Sequence, residues 1–333
     1  MNLPIIYCPQ FELSLKKYGI FIPLLNQRSK QVVHSLHKAN IVLTPTLDIP
    51  LLTAQDLIFV HDKKMVSDLF NKKKSQAHLM ATYELIDSLG NFNRYDPKQS
   101  QRPLSDLFIS IRGQASATYY ALKLALEKNW SYFLGGGMHH AHFKKGSGFC
   151  QIHDGIVALK KLQREKKIKR AWIVDLDAHK GDATAALAKN DPSILTLSIH
   201  MKNSWPTNQI NRDPLTPWWI KSTVDIEVAE GEEKKYLKKL EAGLIKLEKY
   251  AQKIGLPDVV WVIDGADAFC QDILPSTAPL QLSQYQMLQR SSFVASFFAD
   301  RKIPQAWVMG GGYGSKVYKT HTQSILFLSS LFS

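Results

Sequence analysis

A chain of 333 residues, 45% hydrophobic and 21% charged, is long enough to bury a substantial core and has the composition of a soluble globular protein. No apolar run approaches the ~18 residues of a membrane span, the first residues lack the basic and apolar stretches of a secretory signal, and Cys8, Cys150 and Cys270 lie far apart in no zinc-like spacing, which fits free thiols in a reducing, cytoplasmic compartment. The net charge of +13 raises nucleic acid, anionic membrane or acidic partners, but the lysines are scattered over 72–74, 160–170 and 234–239 with no nucleic-acid-binding motif beside them, so neither nucleic acid nor membrane is expected as a partner.

A first strand is expected over Ile5-Ile6-Tyr7, and prolines at 23, 45 and 50 interrupt any long helix before residue 60. Residues 56–62 lead into a short helical pattern that ends in the lysine run. Residues 88–106, rich in Asn, Asp, Gln, Ser and Pro, read as a long exposed loop, and loops of that length in a compact domain are often functional. A helix over 115–129 precedes a buried strand over 130–134, which ends in Gly135-Gly-Gly-Met-His-His-Ala-His142. A helix from Asp154 through Leu162 precedes the strand Trp172-Ile-Val-Asp175, and 194–200 form a further strand.

Between 230 and 253, Leu237, Leu240, Leu244, Leu247 and Ala251 recur in steps of three and four, one helix with one buried stripe. The strand 259–263 leads into Asp264-Gly-Ala-Asp-Ala-Phe-Cys270, and 306–309 into Gly310-Gly-Gly-Tyr-Gly314; the apolar 325–328 close the chain as a packed helix. Strands alternating with helices imply an α/β fold, a parallel sheet with helices on both faces, whose ligands gather at the carboxyl ends of the strands. No linker or repeat divides the pattern, and residues 1–333 are expected to form one domain.

The strand ends carry the chemistry. Side chains alternate along a strand, so Asp175, Asp177 and His179 can project the same way. Two carboxylates and an imidazole suit a divalent metal with an open position; Asp177, His179 and Asp267 form the expected set. A magnesium phosphohydrolase, or solvated acids capping a strand, are the competing explanations of Asp175-Leu-Asp177 alone. His139 and His140 follow three glycines that let the backbone approach closely, with Asp175 and Asp182 available to orient them, and a carboxylate-held imidazole is a tuned acid or base. His142 is a second choice of metal ligand but has no evident partner. Gly310-Gly-Gly-Tyr-Gly314 is followed by Ser315 and Lys316 in the wrong order for a phosphate loop. Tyr313 there suits a phenol donating to a developing oxyanion, or simply closes a turn.

Taken in order, Gly135-Gly-Gly-Met-His-His140, Gly148-Phe-Cys150, Asp175-Leu-Asp-Ala-His-Lys-Gly-Asp182, Gly265-Ala-Asp267 with Asp272, and Gly310-Gly-Gly-Tyr313 resemble the zinc-dependent histone deacetylase superfamily, which includes bacterial amidohydrolases and acetylpolyamine hydrolases. The resemblance spans residues 56 to 320. It implies an arginase/deacetylase-like fold with a parallel sheet of about eight strands. It implies Zn²⁺, with Fe²⁺ as the alternative, on Asp177, His179 and Asp267. It gives His140 the role of general base and His139 that of electrostatic or acid partner, backed by Asp182 and Asp175 respectively. Tyr313 would bind the substrate carbonyl, Gly148 and Phe149 would lie on an acyl-lysine channel, and K⁺ would sit near the backbone of Asp175, Asp177 and His179 with Ser198.

Two departures stand out. Lys180 occupies a position where many relatives carry a second histidine. After His200, Met-Lys-Asn-Ser-Trp-Pro206 replaces a phenylalanine-glycine stretch, so Trp205 is expected to supply the opposite channel wall. The length of the chain and the segment 224–233 are closest to the small class IV branch. The expected activity is removal of acyl groups from lysine side chains of proteins or peptides. Deacetylation of polyamines or other small amides is the second choice, and a catalytically silent binding module the third.

Overall fold

The computed structural model describes residues 3–22, 27–43 and 45–333; Pro23, one of the expected helix breakers, lies outside them. Seven strands form a single sheet among the described residues: β1 (Ile5–Ile6), β2 (Trp130–Phe133), β3 (Ala171–Asp175), β4 (Ile194–Met201), β5 (Val224–Val228), β6 (Val259–Ile263) and β7 (Gln305–Val308). All pairings are parallel, in the order β1-β2-β7-β6-β3-β4-β5. Seven strands stand close to the expected eight. β5 was not anticipated: Val-Asp-Ile-Glu-Val alternates, burying its two valines and leaving its acids at the sheet edge, whereas its sequence reads as an acidic lead into the next helix.

The strands split their side chains between two apolar layers, as a period of two requires. Phe133, Ile173, Trp261, Ile263 and Val308 face helices Leu107–Lys128 and Asp154–Arg164. Tyr132, Trp172, Val174, Val260, Val262 and Trp307 face helices Tyr236–Ala251, Gln284–Asp300 and Tyr318–Leu331. Strands buried on both faces are apolar throughout rather than alternating, and that made these segments easy to place. The stripe helix buries Leu240, Leu244, Leu247 and Ala251 as expected, while Leu237 is only half-buried.

Two elements differ from expectation. The helix placed at 115–129 begins at Leu107, because Leu107, Phe108 and Ile111 are buried under it and extend its apolar side. The stretch 88–106 holds two short 3-10 turns, Pro97–Gln99 and Leu104–Asp106, and Leu104 is buried. The register fixes the site: Asp175 at the end of β3 pairs with Ser198 of β4 on one side and Ile263 of β6 on the other. β7 and β2 follow beyond β6, so the segments after β2, β3, β6 and β7 all emerge along one edge of the sheet.

Candidate metal and catalytic centre

Asp177, His179 and Asp267 are fully buried, and one ligand atom from each lies within 4.8 Å of the others. His179 Nδ1 sits 3.1 Å from Asp177 Oδ1 and 3.0 Å from Asp267 Oδ2. The other oxygen of each carboxylate is held by backbone: the Gly311 N–H donates to Asp177 Oδ2 at 2.9 Å and the Ala178 N–H to Asp267 Oδ1 at 2.9 Å. The far nitrogen of the imidazole, Nε2, is 2.9 Å from Ser276 Oγ. Each donor is thus oriented by a second contact, as metal-binding side chains generally are. A side chain at Gly311 would press its Cβ to 2.5 Å from Asp177 Oδ2 and 2.8 Å from Asp267 Oδ2, so only glycine lets this backbone close over the acids.

The charges fit a cation. Burial, reinforced by the Asp177 carboxylate, pushes the Asp267 carboxyl above its usual range. Burial alone would lower His179, yet the Asp177 and Asp267 carboxylates outweigh it and lift the imidazole to about 10. Two acids that hold a proton between them this firmly are short of positive charge, which a divalent ion would supply.

The histidine pair stands beside this set on the glycine loop after β2. The Asp154 carboxylate clamps that loop, accepting from the Gly137 N–H at 2.9 Å and the Met138 N–H at 2.7 Å. His139 Nδ1–H donates to Asp175 at 2.7 Å, and His140 Nδ1–H donates to Asp182 at 2.7 Å. The rings lie 3.8 Å apart, and His139 Nε2 is 3.7 Å from Asp177 Oδ1. Burial opposes charge on His139, but Asp175 and Asp177 override it and raise the imidazole to about 9; burial and then the neighbouring His139 depress His140 to about 4 in spite of Asp182. At neutral pH one ring is cationic and the other is a free base.

The Asp272 carboxylate takes the Tyr313 N–H at 2.5 Å and the Gly314 N–H at 3.0 Å, which stations Tyr313 on the wall of a cavity of about 400 Å³ shared with His140, Asp177, His179, Phe149 and Trp205. Burial, then the Asp177 and Asp267 carboxylates, hold its phenol well above the ordinary value, so it stays an O–H donor.

A family model described as "Histone deacetylase domain" matches residues 23–327. The chain belongs to the histone deacetylase family. Histone deacetylase 2 of Arabidopsis thaliana is 25% identical over 329 residues, 98% of this chain and 79% of that protein. An uncharacterised protein of Picosynechococcus is 31% identical over 202 residues, 60% of this chain and 62% of that relative's length. Among solved structures, an acetylpolyamine aminohydrolase from Burkholderia pseudomallei superposes with a TM-score of 0.72 over 99% of both chains at 15% identity. A histone deacetylase homologue complexed with SAHA gives 0.69 over 100% of this chain and 84% of that one at 19% identity. At such identities the likeness is one of fold.

This histone deacetylase-family chain brings every expected site residue to one edge of the sheet. Gly148 (φ +51°) and Phe149 (φ +65°) bend into the cavity, and a Cβ at Gly148 would meet Trp205 at 2.6 Å and His140 at 2.7 Å. Phe149 stacks on Tyr83, and the Trp205 ring stands edge-on to His140, 4.5 Å between centroids. Ser198 Oγ accepts from the Gly181 N–H at 3.2 Å beside Asp175. Lys180 turns away from the histidine pair and donates to Asp225 of β5 at 3.1 Å.

One expectation is corrected. His142 does have a partner, Asp182 Oδ2 at 3.0 Å, and stands away from the metal set. Asp96, in the long stretch 88–106, accepts from the Lys98 N–H and Gln99 Nε2 in its own turn, and beyond the metal and histidine sets the charged residues on the cavity wall are Glu84, Arg94, Glu12 and Arg28. Arg28 donates to the Gly312 carbonyl at 3.0 Å and so steadies the loop of Tyr313. Neither Arg28 nor Ser276 carries a local signal in the sequence; each reaches the site from a distant segment.

Proposed function

We propose that this chain is a metal-dependent amidohydrolase that removes acetyl or other acyl groups from lysine side chains. What carries the proposal is one juxtaposition: Asp177 and His179, with Asp267 packed beside them, a carboxylate-backed neutral His140 and Tyr313 meet at one cavity, which Asp177, His179, His140 and Tyr313 line. Zinc is the ion that two carboxylates and one imidazole with open positions suit best, and when bound it would supply Lewis acidity toward water and the amide carbonyl. His140 takes the proton of the attacking water. Tyr313 donates to the carbonyl oxygen as charge develops there. His139, held cationic by Asp175, stabilises the same charge and is the proton source for the departing amine. Phe149 and Trp205 flank the acyl-lysine stem. The pairing of Asp175 with Ser198 across β3 and β4 supports K⁺ as a structural ion beneath the set.

His140→Ala is the direct test. Loss of a positioned base lowers kcat by about 10²–10⁴-fold, with KM much less affected; near-normal turnover of an acetyl-lysine peptide would move the role elsewhere.

Acetylated polyamines are the second choice of substrate, favoured by the fold-level likeness to an acetylpolyamine aminohydrolase and by Glu84 on the cavity wall. Against them stands the net charge of +13, which repels a free polycation over roughly the Debye length, ~8 Å at physiological salt. Acylation removes the lysine charge, so kcat/KM for a neutral acetyl-lysine peptide should exceed that for monoacetylated spermidine, with the gap narrowing as salt rises. A clear preference for the polyamine at low salt would reverse the order.

A further inference from the structure

Behind Asp182 lies a group of buried histidines for which the chemistry above has no use: His61 (1% exposed), His142 (1%) and His153 (0%). Their protons can be placed, because a backbone N–H only donates. The His153 N–H donates to His61 Nε2 at 2.9 Å, so the His61 proton is on Nδ1, which donates to the His142 carbonyl at 3.0 Å. The Ile156 N–H donates to His153 Nδ1 at 3.2 Å, leaving the His153 Nε2–H for Thr184 Oγ1 at 2.8 Å. Burial keeps His61 at about 4 and His153 far below the ordinary value, so both rings are neutral at neutral pH.

His142 is gripped on both sides of its backbone. Its N–H donates to the Lys145 carbonyl at 2.9 Å, and its own carbonyl accepts from His61. The ring so placed puts Nε2 3.0 Å from Asp182 Oδ2, while Asp182 Oδ1 takes His140 at 2.7 Å. One buried carboxylate therefore has an imidazole on each oxygen. His142 does not line the cavity. Its Nδ1 is buried without a partner among the described residues. A residue present only for packing would not bury that atom unpaired, and phenylalanine would fill similar space with no polar group.

We propose that His142 is a positioning residue that locks the Asp182 carboxylate from the side away from the cavity. With Oδ2 engaged, Asp182 cannot rotate, and His140 keeps the one orientation in which Nε2 is presented to substrate. The lock is anchored to backbone through His61 and His153, and it rests on His140 being the base of the proposed amide hydrolysis.

Two variants of the full chain, compared with wild type, test it. His142→Phe keeps the ring and removes the donor; His142→Gln keeps an N–H near the position of Nε2. The phenylalanine variant should lose about 10–100-fold in kcat toward an acetyl-lysine peptide, the range for a misplaced acid–base group, with KM, zinc content and melting temperature near wild type. The glutamine variant should recover most of the loss. In an Asp182→Asn background, His142→Phe should add less than about twofold, because the two act through one carboxylate. An equal loss in both backgrounds, or no loss at all, overturns the lock.

Should the phenylalanine variant not fold, His142→Met against His142→Gln makes the same comparison. A readout independent of turnover is the His140 Nδ1–H proton in ¹⁵N-histidine NMR of the zinc-free protein. It should be sharp and protected in wild type and broadened in the phenylalanine variant, and an unchanged signal also overturns the proposal. Absence of amidase activity in wild type would remove the assigned function while leaving the NMR comparison decisive for the lock.

Discussion

Asp267 lies 88 residues beyond His179 in the chain, yet its Oδ2 shares the His179 nitrogen with Asp177. Asp267→Ala should therefore cost both metal and hydrolysis; one zinc per chain with full activity in that variant would sink the assignment, and plasma mass spectrometry beside a peptide assay decides it. Tyr313→Phe removes a single oxygen and should lower kcat by about 10²–10³, or ~3 kcal/mol; turnover within a fewfold of wild type would leave Tyr313 as a turn residue. These residues could be picked from the sequence because each stands at the end of an apolar strand, in a local pattern that chemistry explains. Ser276, Arg28 and the partner of His142 could not. A lone serine or arginine carries no signal until the fold brings it from a distant segment, and Asp182 lies 40 residues from His142.

The helix Gln284–Asp300 shows how one element can hold two others in place. From it the buried Arg290 donates through Nη1 to the Leu176 carbonyl at 3.0 Å and the Gly265 carbonyl at 2.9 Å, and through Nη2 to Asp264 at 2.6 Å. It so ties the segment bearing Asp177 to the segment bearing Asp267. Arg290→Met leaves the Asp264 charge buried and unpaired, a loss of about 3–5 kcal/mol in denaturant unfolding, and should weaken zinc binding. Adding Asp264→Asn removes the stranded charge. Stability should then largely return while zinc affinity stays low, since the two carbonyls remain unbridged; recovery of both would show that Arg290 serves stability alone. The strands of this sheet were readable as apolar runs, but their order was not. Which strand neighbours which is set by crossovers, and β5, with acids at alternate positions on an edge, reads like the loop before a helix.

Protonation should govern the stability of the molecule as a whole. Burial holds His61, His140, His200 and His321 down at about 4 and His153 lower still, whereas an unfolded imidazole titrates near 6.5. Between those values the unfolded chain binds more protons than the folded one. Stability from these five groups is thus complete above about 6.5 and is lost as pH falls toward 4. His139 and His179, raised to about 9 and 10, stay protonated in the folded state across that window and in the unfolded one over all but its upper end, so they contribute nearly a constant. The raised carboxylates Asp154, Asp175 and Asp267 act in the opposite sense, three groups against five. The melting temperature should fall from pH 6.5 to 4.5 with net proton uptake on unfolding, and a flat profile would contradict these assignments. Composition fits a globular protein but does not announce this sensitivity, because eleven histidines can as well be exposed as buried.

Every strand of the sheet points the same way, so its two ends have different trades. One edge holds all the reactive groups; the other carries the turns that lead into β3 and β7, with Lys166 and Lys302 exposed on them. The molecule therefore has a natural handle. A tether, dye or inserted epitope at Lys302 would sit at the foot of β7 while the cavity opens beyond its head, and a surface coated through that position would display its working face outward.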